Sequence, residues 1–347
     1  MRRATTLIGT GAAAIAVGAG AGIAVYAGVS NHSTTKTIVR EVTVSAQPAV
    51  RATGLDAAEI YQSANKGVVE ITVTVPGGQA QGSGFIYDSK GNVVTNYHVV
   101  EDSSSIRVAL PDGSSYSASL VGADPSTDLA VIKVDAPSSK LHPLTLGDST
   151  QLSVGDPVVA IGAPFGLAET LTSGIVSALH REMNSPNGFA IADSIQTDSA
   201  INHGNSGGPL LDSSAHVVGI NTQIKSDSGG NEGVGFAIPS ATVKNVVTQI
   251  LQTGQAQHAY LGVKLDSSAS NARLAQVVPG TPAAAAGLRA GDVITAIDGN
   301  QVSTIDGVQS AISSKKPGDT IEVTYTRDGQ SHTVTVKLTT RPSAPPA

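Results

Sequence analysis

Short runs of Val, Ile and Thr, each ended by a cluster of turn residues, constrain this chain more than any other feature of its sequence. Val68 to Val75 is followed by Gly84 to Tyr87, the turn Asp88-Ser89-Lys90-Gly91, and the strand-like stretch Val93 to Val100. The pattern continues through Ile106 to Leu110, the turn Pro111-Asp112-Gly113, Leu129 to Val134, Val158 to Ile161 and Val217 to Ile220. Branched side chains are stiff and fit a pleated surface, while Gly, Asp and Pro supply the angles that reverse a chain. Many short strands with turns between them predict a barrel or a sandwich. Helical spacing enters at Ala241 to Leu251, where Val243, Val246, Val247, Ile250 and Leu251 share a face and Gly254 stands as a stop. A second block, residues 259–340, carries strands at Val293 to Ile297, Thr320 to Tyr325 and His332 to Leu338. Its helix is expected over Ile305 to Ser314, with Ile305, Val308 and Ile312 turned to a groove or a core. Residues 341–347 hold three prolines and read as a frayed tail.

Composition narrows the class further. A chain of 347 residues with 40% hydrophobic and 14% charged residues is long enough to bury two or three cores. Aromatics make up only 3%, so those cores are built from Val, Ile, Leu and Ala, and the 38 glycines imply many tight turns. The net charge of -6 comes without a dense Lys/Arg patch, which argues against nucleic acid as a partner. The absence of cysteine rules out disulfides, thiol catalysis and thiolate zinc sites, and no cofactor or metal is expected. Export remains open, because a domain of this size does without disulfides.

Residues 1–6 carry Arg2 and Arg3, and residues 7–29 are uncharged and rich in Ala, Gly, Val and Ile. As a helix rising about 1.5 Å per residue that stretch covers roughly 34 Å, close to the hydrocarbon thickness of a bilayer. It reads as a transmembrane anchor in preference to a cleaved signal, whose apolar core is shorter, although the small residues around Ala24 to Gly28 suit a signal peptidase. The arginines keep the N-terminus cytoplasmic and place everything after Val29 outside the cytoplasm. Residues 30–53, rich in Ser, Thr and Val, read as a linker.

The sharpest chemical signal is Gly204-Asn205-Ser206-Gly207-Gly208-Pro209-Leu210. A serine hydroxyl is a poor nucleophile until a base takes its proton, and acyl transfer needs N–H donors waiting for the oxyanion. Glycines on both sides of Ser206 let the loop Gly204, Asn205 and Ser206 turn tightly, with the Gly204 and Ser206 amides as the donors. Among eight histidines, His98 stands out because a strand-like stretch delivers it to a cleft. His180, His203 and His216 lie in loop-like contexts. Asp128 places a charge at the mouth of the apolar run Leu129 to Ile132, and orienting an imidazole is a reason for it to be there. Asp124, just before Pro125, is its local competitor and reads as a turn residue.

The order His, Asp, Ser, with spacings of 30 (128 minus 98) and 78 (206 minus 128), is that of the chymotrypsin type and suits two β-barrels. The chain resembles the HtrA/Deg family of serine proteases in Gly82-Ser83-Gly84-Phe85, Thr95-Asn96-Tyr97-His98-Val99, Thr127-Asp128-Leu129-Ala130-Val131, Thr172 to Ser177, Gln196-Thr197-Asp198, Ala200-Ile201-Asn202, the serine heptad, and Gly233 to Pro239. It departs from the family pattern at Tyr97, His203 and Asn65-Lys66-Gly67. The resemblance implies a mainly β chain: a chymotrypsin-like double barrel over residues 54–254, one α+β PDZ domain over residues 259–340, and the N-terminal transmembrane helix. It also implies a specificity pocket from Ala200, Ile201, Val234, Gly235, Phe236 and Ala237, with no carboxylate and hence a preference for small apolar residues before the scissile bond. Tyr260-Leu261-Gly262-Val263 resembles the PDZ loop that holds a peptide's terminal carboxylate. The implied function is an extracytoplasmic, membrane-anchored, homotrimeric endopeptidase acting on unfolded or damaged proteins. A PDZ scaffold with an idle triad and a protease specific for one signalling substrate are the rival readings.

Overall fold

Alternation along the strands sorts side chains into two kinds of core. The computed structural model describes residues 56–163, 170–202, 204–224 and 233–345. Helix α1, Ala57–Ala64, starts at Asp56, whose Oδ1 accepts the Ala58 and Glu59 N–H groups, and leads into the first barrel. That barrel is closed by β1 Val68–Val75, β2 Gly78–Ile86, β3 Asn92–Asn96, β4 Ser105–Ala109, β5 Ser115–Asp124 and β6 Leu129–Val134, in the order β1-β2-β3-β6-β5-β4. In β1, Val69, Ile71 and Val73 fill the barrel interior, whereas Val68 joins the layer between the barrels.

The second barrel repeats the plan with β7 Pro157–Gly162, β8 Thr170–Asn184, β9 Ala190–Thr197, β10 Pro209–Leu211, β11 Val217–Ile224 and β12 Gly235–Pro239. Val158 and Ala160 of β7 point inward, while Val159 and Ile161 meet Val68, Phe85, Val94 and Leu129 of the first barrel. Between β3 and β4 lies a single helical turn, α2 Tyr97–Val100. After β12 comes α3, Ser240–Thr253, which presents Val243, Val246, Val247 and Ile250 to the same shared layer and ends at left-handed Gly254. Burying those four side chains contributes about 1.5–3 kcal/mol each and ties the barrels into one body.

The C-terminal block has its own core of Leu261, Leu274, Ile294, Val308, Ile321, Val323 and Val336. Its elements are β13 Ala259–Tyr260, β14 Val263–Leu265, β15 Leu274–Val277, α4 Pro282–Ala285, β16 Val293–Ile297, β17 Asn300–Gln301, α5 Ile305–Ser313, β18 Thr320–Arg327, β19 Gln330–Lys337 and β20 Thr339–Thr340. A four-stranded sheet β17-β16-β18-β19 is flanked by the pairs β13-β20 and β14-β15. Among the described residues no helix is long and apolar enough to cross a membrane. The expected anchor at 7–29, the linker at 30–53, His203 and the last two tail residues lie outside the described residues.

Candidate active site

His98 sits on α2 and not on a strand. The ladder of β3 with β6 ends at the pair Asn96↔Leu129, and the Asp128 carbonyl then takes both the Tyr97 N–H (3.0 Å) and the Asn96 Nδ2 (2.9 Å). With those groups committed, the chain turns: Glu101 N–H donates to the Tyr97 carbonyl, and the Tyr97 hydroxyl donates to Glu101 one turn on. The β-favouring residues Tyr97, Val99 and Val100 are overruled by this tertiary contact.

Asp128 is fully buried, with a left-handed backbone (φ 55°), which costs a non-glycine residue about 1–2 kcal/mol. The conformation brings its carboxylate to the turn. Oδ1 accepts the His98 backbone N–H at 3.0 Å, and Oδ2 lies 2.8 Å from His98 Nδ1 and 2.6 Å from the Thr222 hydroxyl that donates to it. An ionised carboxylate only accepts, so Nδ1 carries the ring proton and Nε2 is left as the basic atom. The His98 side chain is 36% exposed and the Asp128 side chain 0%, which is the arrangement of a base at a surface held by an acid beneath it.

Ser206 enters from the second barrel. Its Oγ donates to the Thr222 main-chain carbonyl at 3.1 Å, and no hydrogen bond joins it to His98. Thr222 therefore links the two halves, holding Asp128 with its hydroxyl and Ser206 with its carbonyl. Gly82 keeps them close as well, since a Cβ there would lie 2.7 Å from Val99, beside His98, and 3.3 Å from the Ser206 carbonyl.

Ser83 stitches the serine loop to the first barrel. Its N–H donates to the Ser206 carbonyl (2.8 Å), its Oγ donates to the Gly204 carbonyl (2.5 Å) and accepts from Ala163, and its own carbonyl accepts from Thr95. Gly204 (φ 100°) and Gly207 (φ 85°) supply the left-handed turns, and any Cβ on Gly207 would collide with the Ser83 carbonyl. Among the described residues no acceptor meets the Gly204 or Ser206 N–H. Asn205, also expected in the oxyanion hole, differs: its N–H is committed to the Asn202 carbonyl (3.0 Å) and its Nδ2 donates to the Ala200 carbonyl (3.2 Å), so it braces the loop and its main-chain N–H is not free for an oxyanion.

The expected pocket residues adjoin. Ile201, 1% exposed, packs on Gly235, where a Cβ would lie 2.7 Å from it; Ala237 is buried, and Ala200, Val234 and Phe236 are half-buried. In the C-terminal block, Leu261 and Gly262 connect β13 to β14, with Leu261 buried and Gly262 left-handed against Thr281. A cavity of about 700 Å³ lies between this block and the second barrel, lined by Gly262, Val263, Ile305 and Val308 on one side and by Glu182, Phe189 and Asn245 on the other. Val308 and Ile312 also belong to the core. His180 lies inside β8 and pairs with Asp193 (2.9 Å), contrary to the loop expected for it. Asp124 is the last residue of β5 and is buried, more than a simple turn residue.

Sequence reasoning missed the roles of Ser83 and Thr222. Ser83 lies in Gly82-Ser83-Gly84-Phe85 and Thr222 follows the apolar run that ends at Ile220, but neither position reveals a partner so far along the chain.

Two closed barrels followed by a sheet-and-helix block define a trypsin-like peptidase joined to a PDZ domain. The trypsin-like peptidase domain family matches residues 82–220, and the PDZ domain family matches residues 259–338. The chain is similar to a probable periplasmic serine endoprotease, DegP-like, of Chlamydia trachomatis serovar D, at 46% identity over 76% of this chain and 54% of that one. It is 42% identical to the chloroplastic Protease Do-like 1 of Arabidopsis thaliana, over 76% of this chain and 64% of that one. It thus spans only about half to two thirds of the length of these curated relatives. Among solved structures, the HtrA-type protease AlgW with tripeptide superimposes with a TM-score of 0.73 at 38% identity, over 82% of this chain and 97% of that one. A serine endoprotease from Yersinia pestis gives 0.65 at 32%, covering 82% and 98%. The chain belongs to the HtrA family of serine proteases.

Proposed function

We propose that this chain is an extracytoplasmic serine endopeptidase that cleaves unfolded or damaged proteins through an acyl-enzyme. Ser206 is the nucleophile, His98 the general base and then acid, and Asp128 the group that orients the imidazole and stabilises its charged form. The observation that carries the reading is the 2.8 Å contact of His98 Nδ1 with the buried Asp128, with Thr222 bonded to both that acid and Ser206. For attack, the Ser206 hydroxyl leaves the Thr222 carbonyl and swings to His98 Nε2, a rotation about χ1. The oxyanion then meets the Gly204 and Ser206 N–H groups.

The apolar residues at Ala200, Ile201 and Val234 to Ala237 favour Val, Ala or Ile before the scissile bond. A Lys or Arg there would bury an unpaired charge. The loop Tyr260 to Val263 and the cavity beside it take a peptide C-terminus. The periplasmic names of relatives support a location outside the cytoplasm, with residues 7–29 as the tether, and assembly is as a homotrimer. Wild type should degrade casein in the absence of any cofactor, whereas Ser206→Ala loses about 10⁴- to 10⁶-fold in kcat. Undiminished degradation by Ser206→Ala would overturn the assignment, and an inert wild type that still binds peptide would favour a PDZ scaffold.

A further inference from the structure

Asp124 has no part in the chemistry proposed above, yet it is 3% exposed and saturated with donors. Its Oδ1 accepts the Ser126 N–H (3.1 Å), its Oδ2 accepts the Thr127 hydroxyl (2.5 Å), and its carbonyl accepts the Thr127 N–H (3.2 Å). The carboxylate thus shapes the turn Pro125 to Thr127 that hands the chain on to left-handed Asp128. A further donor arrives from another part of the fold: His258 Nε2, only 13% exposed, lies 2.7 Å from Asp124 Oδ2.

His258 immediately precedes β13, and its carbonyl accepts the Arg341 N–H (2.8 Å) just beyond β20. The ends of the first and last strands of the PDZ domain therefore meet at His258 and Arg341, and of the two His258 alone contacts the buried carboxylate. The Arg341 guanidinium lies 5.0 Å from the centre of the Phe189 ring, and burial lowers its pKa against the opposing attraction of Asp124. From the second barrel, Asn187 Nδ2 donates to the Ser126 hydroxyl (3.0 Å) and to the Ser343 carbonyl (3.0 Å). A carboxylate buried with one missing donor loses far more than an exposed one, so removing the imidazole loosens this turn.

We propose that His258 is a positioning residue: by donating Nε2–H to Asp124 it fixes the turn that sets the Asp128 carboxylate against His98, making the PDZ boundary part of the machinery for proton transfer. This rests on the reading of His98, Asp128 and Ser206 as the reacting groups. Small displacements of such groups lower turnover while substrate contacts persist.

The test uses the full chain and a fluorogenic peptide with Val before the scissile bond, with kcat expressed per site labelled at completion by a fluorophosphonate. His258→Ala should lower kcat about 10- to 100-fold with KM within about twofold. His258→Gln, whose amide reaches the same place, should restore most of it, while His258→Asn, one methylene shorter, should not; this pair decides the matter even if the alanine variant does not fold. An unchanged or raised kcat in His258→Ala, or equal rates in the Gln and Asn variants, would overturn the proposal. A wild type that fails to label at Ser206 would instead overturn the reading beneath it.

Discussion

The two barrels contribute to the candidate site in different ways. The first supplies His98 and Asp128 already joined: Asn96, Tyr97 and the backbone and ring of His98 bond to Asp128 from the first barrel, and Thr222 adds a bond from the second. The second supplies Ser206 on a turn that two left-handed glycines permit, with its hydroxyl bonded to its own barrel through Thr222. Asp128 stands just before β6 and His98 on the helical turn after β3, whereas Ser206 stands on a loop stitched to the opposite barrel through Ser83. The two halves are thus held by different contacts, Asp128 by the strand and turn around it and Ser206 by Thr222 and Ser83.

The comparison can be broken first at the half that holds Asp128. Asp128→Asn keeps the shape but offers Nδ1 the wrong hydrogen-bonding partner, and kcat should fall about 10⁴-fold with the fold intact by circular dichroism. A loss of tenfold or less would mean that the first barrel is not the pre-set half. Gly207→Ala tests the second half: a left-handed alanine costs about 1–2 kcal/mol, and its Cβ would also collide with the Ser83 carbonyl. Its thermal midpoint should drop more than that of Ser83→Ala, which leaves the Gly204 carbonyl and the Ala163 N–H without their partner and should lose about 1–3 kcal/mol. Equal midpoints for Ser83→Ala and wild type would show that the stitch between barrels contributes nothing. The smallest effect is expected at the link: Thr222→Val keeps the carbonyl that holds Ser206 but removes the hydroxyl on Asp128, so kcat should fall about tenfold with KM unchanged.

Much of this was legible in the chain. Val68 to Val75, Leu129 to Val134 and Val217 to Ile220 announced strands through branched residues, and Gly254 stopped α3 where its left-handed φ was needed. The contact of Asp128 with His98 is of the kind that a charge before an apolar run demands. What was not readable depended on distant contacts. Tyr97 to Val100 has strand-forming side chains, and only the Asp128 carbonyl, thirty-odd positions away, turns it into helix. Ser83 and Thr222 are ordinary polar residues until the fold sets them beside Gly204 and Asp128. Asp124 looked like a turn former, and is one, but its bond to His258 depends on how the PDZ strands end.

The most direct measurement is fluorophosphonate labelling of the folded chain followed by mass mapping. A single adduct on Ser206, lost when His98 is replaced by Ala, is the expected result. An adduct on another residue, or full cleavage of casein by a chain in which Ser206 stays unmodified, would contradict the account.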